Sequence, residues 1–290
     1  LTDVPVCGYV EPVPPNRVTV APEEPRMNVG KLVRLNRLFS HESGRLCSVA
    51  VDHFIGYAEG LPAGLRQVQS TLAAVAAARP DAVTMHRGIA AAAWAPHAGR
   101  VPLILQSTIA RPDDSACEQL ASPEDAVRLG ADAFAVAAFV RGPTEAAHLR
   151  TVAECVRQAA AFEMPVIVHI YPRTPDRAIS YQPEDIAWAV RGALETGVDV
   201  VKTPYCGNVQ AHRQIVADCP LPVVAAGGPR AQTLESALEM MAEVVESGAR
   251  GATIGRNVWG FTDITAAVRA FQAVIHDGCS AREAMQAAGL

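Results

Sequence analysis

The chain has 290 residues, half of them hydrophobic and 19% charged, with a formal net charge of −5. That apolar fraction predicts a folded, soluble chain with a sizeable core, and the acidic balance excludes the basic surface that nucleic acid requires. No apolar run reaches the roughly 20 residues of a membrane helix, and no basic segment followed by an apolar stretch marks a secretory signal, so neither membrane nor export is expected. Seven cysteines, none in a CxxC pair, predict small buried thiols and a reducing cytoplasm rather than a disulfide framework. All but two of the 25 basic residues are arginine; the lysines are Lys31 and Lys202.

Residues 1–27 carry Pro5, Pro12, Pro14, Pro15, Pro22 and Pro25, which deny helix formation and predict an extended arm across the domain or a neighbouring subunit. Residues 28–290 are expected to form one domain. Its first element is a short amphipathic helix in which Leu32, Leu35 and Phe39 share a face. Eight apolar strands follow, at 46–52, 81–86, 102–106, 131–139, 165–170, 198–203, 222–226 and 251–255. Helical stripes lie between and after them: Leu65, Val68, Leu72 and Val75; Ile186, Val190 and Leu194; Leu234, Leu238, Met241 and Val245; Ile264, Val268, Phe271 and Ile275. Ser122-Pro123-Glu124-Asp125 and Ser280-Ala281-Arg282-Glu283 are helix starts.

Strands that are apolar throughout and separated by helices imply a parallel sheet covered on its outer face. Eight such units in roughly 245 residues favour an α/β fold of the (β/α)8 TIM-barrel type over an open sheet. In such a barrel the chemistry sits at the C-terminal strand ends. There the first strand places Asp52 and His53, the fifth His169 and Tyr171, the sixth Lys202, the seventh Gly227 and Gly228, and the eighth Gly255 and Arg256.

Lys202 leaves an apolar strand, and burial would lower its pKa toward the neutral amine that attacks a carbonyl to form an imine. A guanidinium could not do so. The plainer alternative is a lysine that snorkels to solvent or pairs with a carboxylate. Asp52 and Tyr171 could carry the proton transfers of imine chemistry; singly, they fit equally a loop cap and a rim aromatic. The glycines after strands seven and eight stand where barrels bind phosphate through backbone N–H groups, with Arg256 adding a charge-assisted contact; alone, each would be a tight turn. His53 and His169 are further candidates for substrate contact. No HxH or HExxH occurs, and His53, His86 and His169 end different strands, so no metal site is expected.

Through GKLVRLNRLF, VAVDHF, AVRLGADAFAV, MPVIVHIYPR, VDVVKTPYCG, PVVAAGGPR and GATIGRNVW, taken in order, the chain resembles the class I aldolase family. That family includes archaeal-type fructose-bisphosphate aldolase, aminodideoxyheptulosonate synthase and the autoinducer-2 thiolase. The resemblance implies a barrel with Lys202 as the Schiff-base lysine, Tyr171 as the acid/base of carbon–carbon cleavage and Asp52 assisting carbinolamine formation and dehydration. It also implies a substrate phosphate on Gly227, Gly228, Gly255 and Arg256, and a ring-type homo-oligomer.

Three positions depart from the family pattern: Phe54, where glycine is usual, is expected to narrow or reshape the mouth; His169 stands at an aromatic position; Arg230 replaces a common lysine. Tyr171, absent from the thiolase branch, favours aldol chemistry. The expected activity is cleavage or formation of a carbon–carbon bond in a phosphorylated ketose, giving a dihydroxyacetone phosphate-like product and an aldehyde. It needs no cofactor, because the protonated imine is the electron sink. Carbon-unit transfer, thiolysis, phosphosugar isomerisation or epimerisation, and silent phosphosugar binding are the alternatives.

Overall fold

The computed structural model describes residues 28–56 and 60–290; the expected proline-rich arm at 1–27 lies outside them. Eight parallel strands close a barrel: β1 Leu46–Ala50, β2 Ala82–His86, β3 Leu103–Gln106, β4 Ala133–Val140, β5 Val166–Pro172, β6 Val200–Thr203, β7 Val223–Ala226 and β8 Gly251–Ile254. Each pairs with the next in sequence, and β8 closes on β1 through Leu46 opposite Gly251. This is the (β/α)8 barrel expected from eight apolar runs, and every strand is found within two residues of its expected bounds. Among the described residues no helix is long and apolar enough to cross a membrane.

The main core lies between the strands and their outer helices, where Leu72, Val152, Ile186, Leu238 and Phe271 pack against outward-facing strand residues such as Val83, Phe134 and Val201. The expected helix starts carry real caps. Ser122 and Ser280 each form a reciprocal capping box, with Asp125 and Glu283 respectively. A second cluster, made by Leu46, Ala82, Ile104, Ala133, Ile167, Val200 and Val224 near the strand starts, fills the barrel's interior at its N-terminal end.

The first helix, Val29–Leu38, closes that end. Its buried residue is Leu38, with Leu35 and Phe39 packed partly against the cluster, whereas Leu32 is half exposed. The expected face is therefore rotated. The reason is polar: Lys31 Nζ reaches Asp199 Oδ1 at 2.9 Å, Arg37 reaches Asp132 Oδ1 at 3.1 Å, and the Gly30 N–H donates to Glu163 at 2.6 Å. These ties to the barrel floor turn the helix about its axis. Asp199 also accepts from the Val166 N–H at 2.8 Å, so one carboxylate joins the helix, β5 and the approach to β6. The lysine without evident chemistry, Lys31, is thus a fastening of the barrel floor.

One element has no counterpart among the expected strands. After β3 the chain makes a short antiparallel hairpin, Thr108–Ala110 with Cys117–Gln119, before returning to the barrel. It stands at the C-terminal end and walls the site. Leu38→Ala should leave a cavity under the barrel and cost about 2–5 kcal/mol, read as a lower urea midpoint with secondary structure retained.

Candidate active site

The C-terminal ends of the strands surround a cavity of about 410 Å³ lined by Asp52, His53, Gln106, His169, Tyr171, Lys202, Gly227, Gly228, Gly255 and Arg256, among others. All nine residues expected at the site from the sequence line it. Closure of the barrel does this: β1 is far from β6 in sequence, yet both end at one mouth.

Lys202 is 5% exposed, its stem leaving the fully buried strand β6. Burial pushes its pKa down; the Asp52 carboxylate opposes the shift, the Arg256 guanidinium adds to it, and the result is about 8. The alternative of a lysine reaching solvent is therefore not what the fold builds. His169 stands opposite Lys202 in the β5–β6 register.

Asp52 lies two residues past the end of β1, with most of its side chain buried. Its Oδ1 lies 3.2 Å from His53 Nδ1, and its Oδ2 accepts from Gln106 Nε2 at 3.1 Å. Burial pushes its carboxyl up, but the hydrogen bond and charge of His53 and the charge of Lys202 outweigh burial and hold Asp52 well below the usual carboxylate range. Burial, and then the charge of the neighbouring Lys202, push His169 well below its usual value.

Gly255 is glycine for steric reasons. A Cβ there would stand 2.4 Å from His53 Cε1 and 3.0 Å from the Ala50 carbonyl, so a side chain would evict His53. The same ring packs edge-on to Trp259, whose indole N–H donates to Ala50 O at 2.9 Å. Gly227 lies against β8, where a Cβ would meet Ile254 Cα at 2.8 Å, and Gly228 has φ +71. Asn257 ties the two glycine loops together: its Nδ2 donates to Gly227 O and Pro229 O at 2.8 and 2.9 Å, and its Oδ1 accepts from the Ala231 N–H.

Tyr171 stacks on Phe139, its partner in the β4–β5 register, with ring centroids 5.7 Å apart. Two residues on, Arg173 is buried, with both terminal guanidinium nitrogens engaged. It donates to Asp114 Oδ1 at 2.6 Å, to Pro112 O at 2.8 Å and to Thr144 Oγ1 at 3.0 Å. It clamps the hairpin loop that brings Arg111, Pro112 and Asp113 to the cavity wall. Phe54, expected to reshape the mouth, is instead 49% exposed and does not line the cavity. Arg230 is also outside it, donating to Gly260 O and lying over the Phe261 ring.

The site holds further residues that the sequence reading does not name for it. His86 and Gln106 end β2 and β3 and line the cavity, so the strand-end rule would reach both. Tyr181 and Arg111 arrive on loops whose path no apolar periodicity encodes.

The DeoC/LacD aldolase family matches residues 46–260. The 2-amino-4,5-dihydroxy-6-oxo-7-(phosphonooxy)heptanoate synthase of Streptomyces griseus is 29% identical over 268 residues, covering 91% of this chain and 97% of its own. The 2-amino-3,7-dideoxy-D-threo-hept-6-ulosonate synthase of Halobacterium salinarum is 32% identical over 266 residues, covering 91% and 98%. An archaeal fructose-1,6-bisphosphate aldolase, solved with its catalytic lysine covalently bound to the carbinolamine intermediate, superposes with a TM-score of 0.76 at 29% identity, covering 85% of this chain and 99% of its own. The resemblance in the motifs, the closed barrel and these matches agree: the chain belongs to the DeoC/LacD family of Schiff-base, class I aldolases.

Proposed function

We propose that this aldolase makes or breaks the bond between the α and β carbons of a phosphorylated ketose, through an imine on Lys202, with a dihydroxyacetone phosphate-like three-carbon unit as one product. The observation that carries the reading is Lys202 itself, buried at the cavity floor with its pKa near 8 between Asp52 and Arg256.

The neutral amine attacks the ketone carbon, and the oxide that forms takes up a proton from solvent. Asp52, ionised at rest, takes the ammonium proton of the adduct and returns it to the leaving hydroxyl, which departs as water. The protonated imine then draws electrons from the bond between its α and β carbons as Tyr171 removes the proton of the hydroxyl on the β carbon. The aldehyde leaves and an enamine remains, which is reprotonated and hydrolysed. In the condensing direction the same enamine attacks an aldehyde. Arg256, with the backbone of Gly227, Gly228 and Gly255, receives the phosphate, while His53 and His169 contact the reacting end.

Two of the relatives' names support this three-carbon unit, whereas the 3,7-dideoxyhept-6-ulosonate of the third has no oxygen on the carbon beyond its ketone and would derive from a deoxy, unphosphorylated three-carbon unit. Fructose 1,6-bisphosphate and the phosphonooxyheptanoate both carry a phosphorylated carbon beside a ketone, followed by two hydroxylated carbons. Aldol disconnection between those two carbons yields dihydroxyacetone phosphate from either, and only the aldehyde differs. The direct test is borohydride trapping with dihydroxyacetone phosphate followed by mass spectrometry. A reduced adduct on Lys202 is expected; active protein that is never labelled would overturn the reading.

Lys202→Arg keeps the positive charge and removes the amine, so it should abolish both turnover and the trapped adduct while the circular dichroism spectrum is unchanged. The rate of imine formation should rise about tenfold per pH unit below pH 8 and level off above it, because only the neutral amine attacks. Asp52 holds the Lys202 pKa up, so Asp52→Asn should move this limb to lower pH even as turnover falls. Arg256→Met should raise KM for the phosphorylated substrate about ten- to a hundredfold, the usual range for a lost hydrogen bond to a charged group.

A further inference from the structure

Gln106 ends β3 and is buried at the centre of the polar site. Its side-chain amide bridges two groups assigned to the reaction, with Nε2 lying 3.1 Å from Asp52 Oδ2 and 3.2 Å from His169 Nδ1. The other end of the amide decides its orientation. Oε1 faces the backbone N–H of Thr108 at 3.3 Å, a group that can only donate, so the oxygen belongs there and the NH2 faces Asp52 and His169. The Thr108 hydroxyl agrees, because Oγ1 accepts from the Ala137 N–H at 2.8 Å and is left to turn its own proton toward Oε1, 3.5 Å away. Ala137 lies opposite His169 in the β4–β5 register. The chain of donors thus runs from β4 through Thr108 to Gln106 and ends on β1 and β5.

An amide NH2 donates twice and accepts nothing. One proton goes to the carboxylate and one to the imidazole, so Nδ1 of His169 must present its lone pair. An imidazolium, or the Nδ1–H tautomer, would set two donors against each other in a buried site, leaving both unsatisfied. We propose that Gln106 is a positioning residue that sets the protons of this site: clamped by Thr108, its amide holds Asp52 as the carboxylate and His169 as the neutral ring protonated on Nε2, a hydrogen-bond donor for the substrate. The proposal rests on the aldolase reading above and assigns it a reason. Beside Lys202, a neutral donor can hold the carbonyl or carbinolamine oxygen without adding a positive charge next to the forming iminium.

The charged and titratable groups facing His169 are Lys202 on β6, Asp52 and His53 after β1, and His86 on β2; those facing Asp52 are His53, Lys202, His169 and His86. The test is nitrogen-15 NMR of histidine-labelled protein from pH 6 to 9, with His169→Gln identifying the signal, and kcat profiles over the same range. Wild-type protein should show His169 neutral and protonated on Nε2 throughout. Gln106→Leu should admit the Nδ1–H tautomer and lower kcat about ten- to a hundredfold, with KM changed less than about threefold. Gln106→Glu, which turns an acceptor toward Nδ1, should produce the imidazolium and move the acid limb of kcat upward. An Nδ1–H or charged ring in the wild type at pH 7 would overturn the proposal, as would an unchanged ring and pH profile in both variants. The wild-type tautomer is read without turnover, so it stands apart from the aldolase reading, whose failure would appear as the absence of a borohydride adduct on Lys202.

Discussion

An ammonium group has been placed where water cannot solvate it, and the rest of the site follows from how that burial is compensated. Lys202 ends a strand with every residue buried, so desolvation alone would drive it to the free amine. Asp52 opposes this from β1 and Arg256 reinforces it from the turn after β8. The two neighbours leave the pKa near 8, where the amine is partly neutral at ordinary pH yet still able to hold a proton. Asp52 can play that part only because it is itself kept ionised, by His53 and by the amide of Gln106. A carboxylate that had accepted a proton would neither steady the ammonium nor begin the proton shuttle proposed for it.

The barrel divides the remaining work between its ends. At the N-terminal end, Leu38 and the inward residues of the strand starts form a closed apolar cluster, fastened by Lys31 to Asp199 and Arg37 to Asp132. At the C-terminal end several polar residues are joined to one another or to backbone groups. Gly255 leaves room for the His53 ring, Asn257 ties the two glycine loops, and Arg173 anchors the hairpin that forms one wall. A rigid floor allows the strand ends to hold their side chains to fixed positions, which a covalent intermediate with several proton transfers requires.

The two lysines illustrate the limits of reading a sequence. Lysine scarcity and the apolar strand before it identify Lys202 as a candidate for imine chemistry, whereas nothing local to Lys31 reveals its partner, because Asp199 lies 168 residues away. The rotation of the first helix has the same origin. Periodicity predicts its apolar face, but tertiary ion pairs settle which side turns inward. Gln106 is a third case: its position at a strand end is legible, while its importance depends on Asp52, Thr108 and His169 meeting from three other stretches of chain.

What the sequence determined by itself is the pattern of eight buried strands separated by amphipathic helices and, through the strand ends and motifs, nine of the residues that line the cavity. These are local or periodic properties: hydrophobic runs, caps and the residue types that follow each run. Tertiary structure alone decided the proton states and the fastening. A carboxylate is held ionised, an amine is held near neutrality and an imidazole is assigned one tautomer by neighbours on different strands, and those neighbours are adjacent only once β8 has closed upon β1.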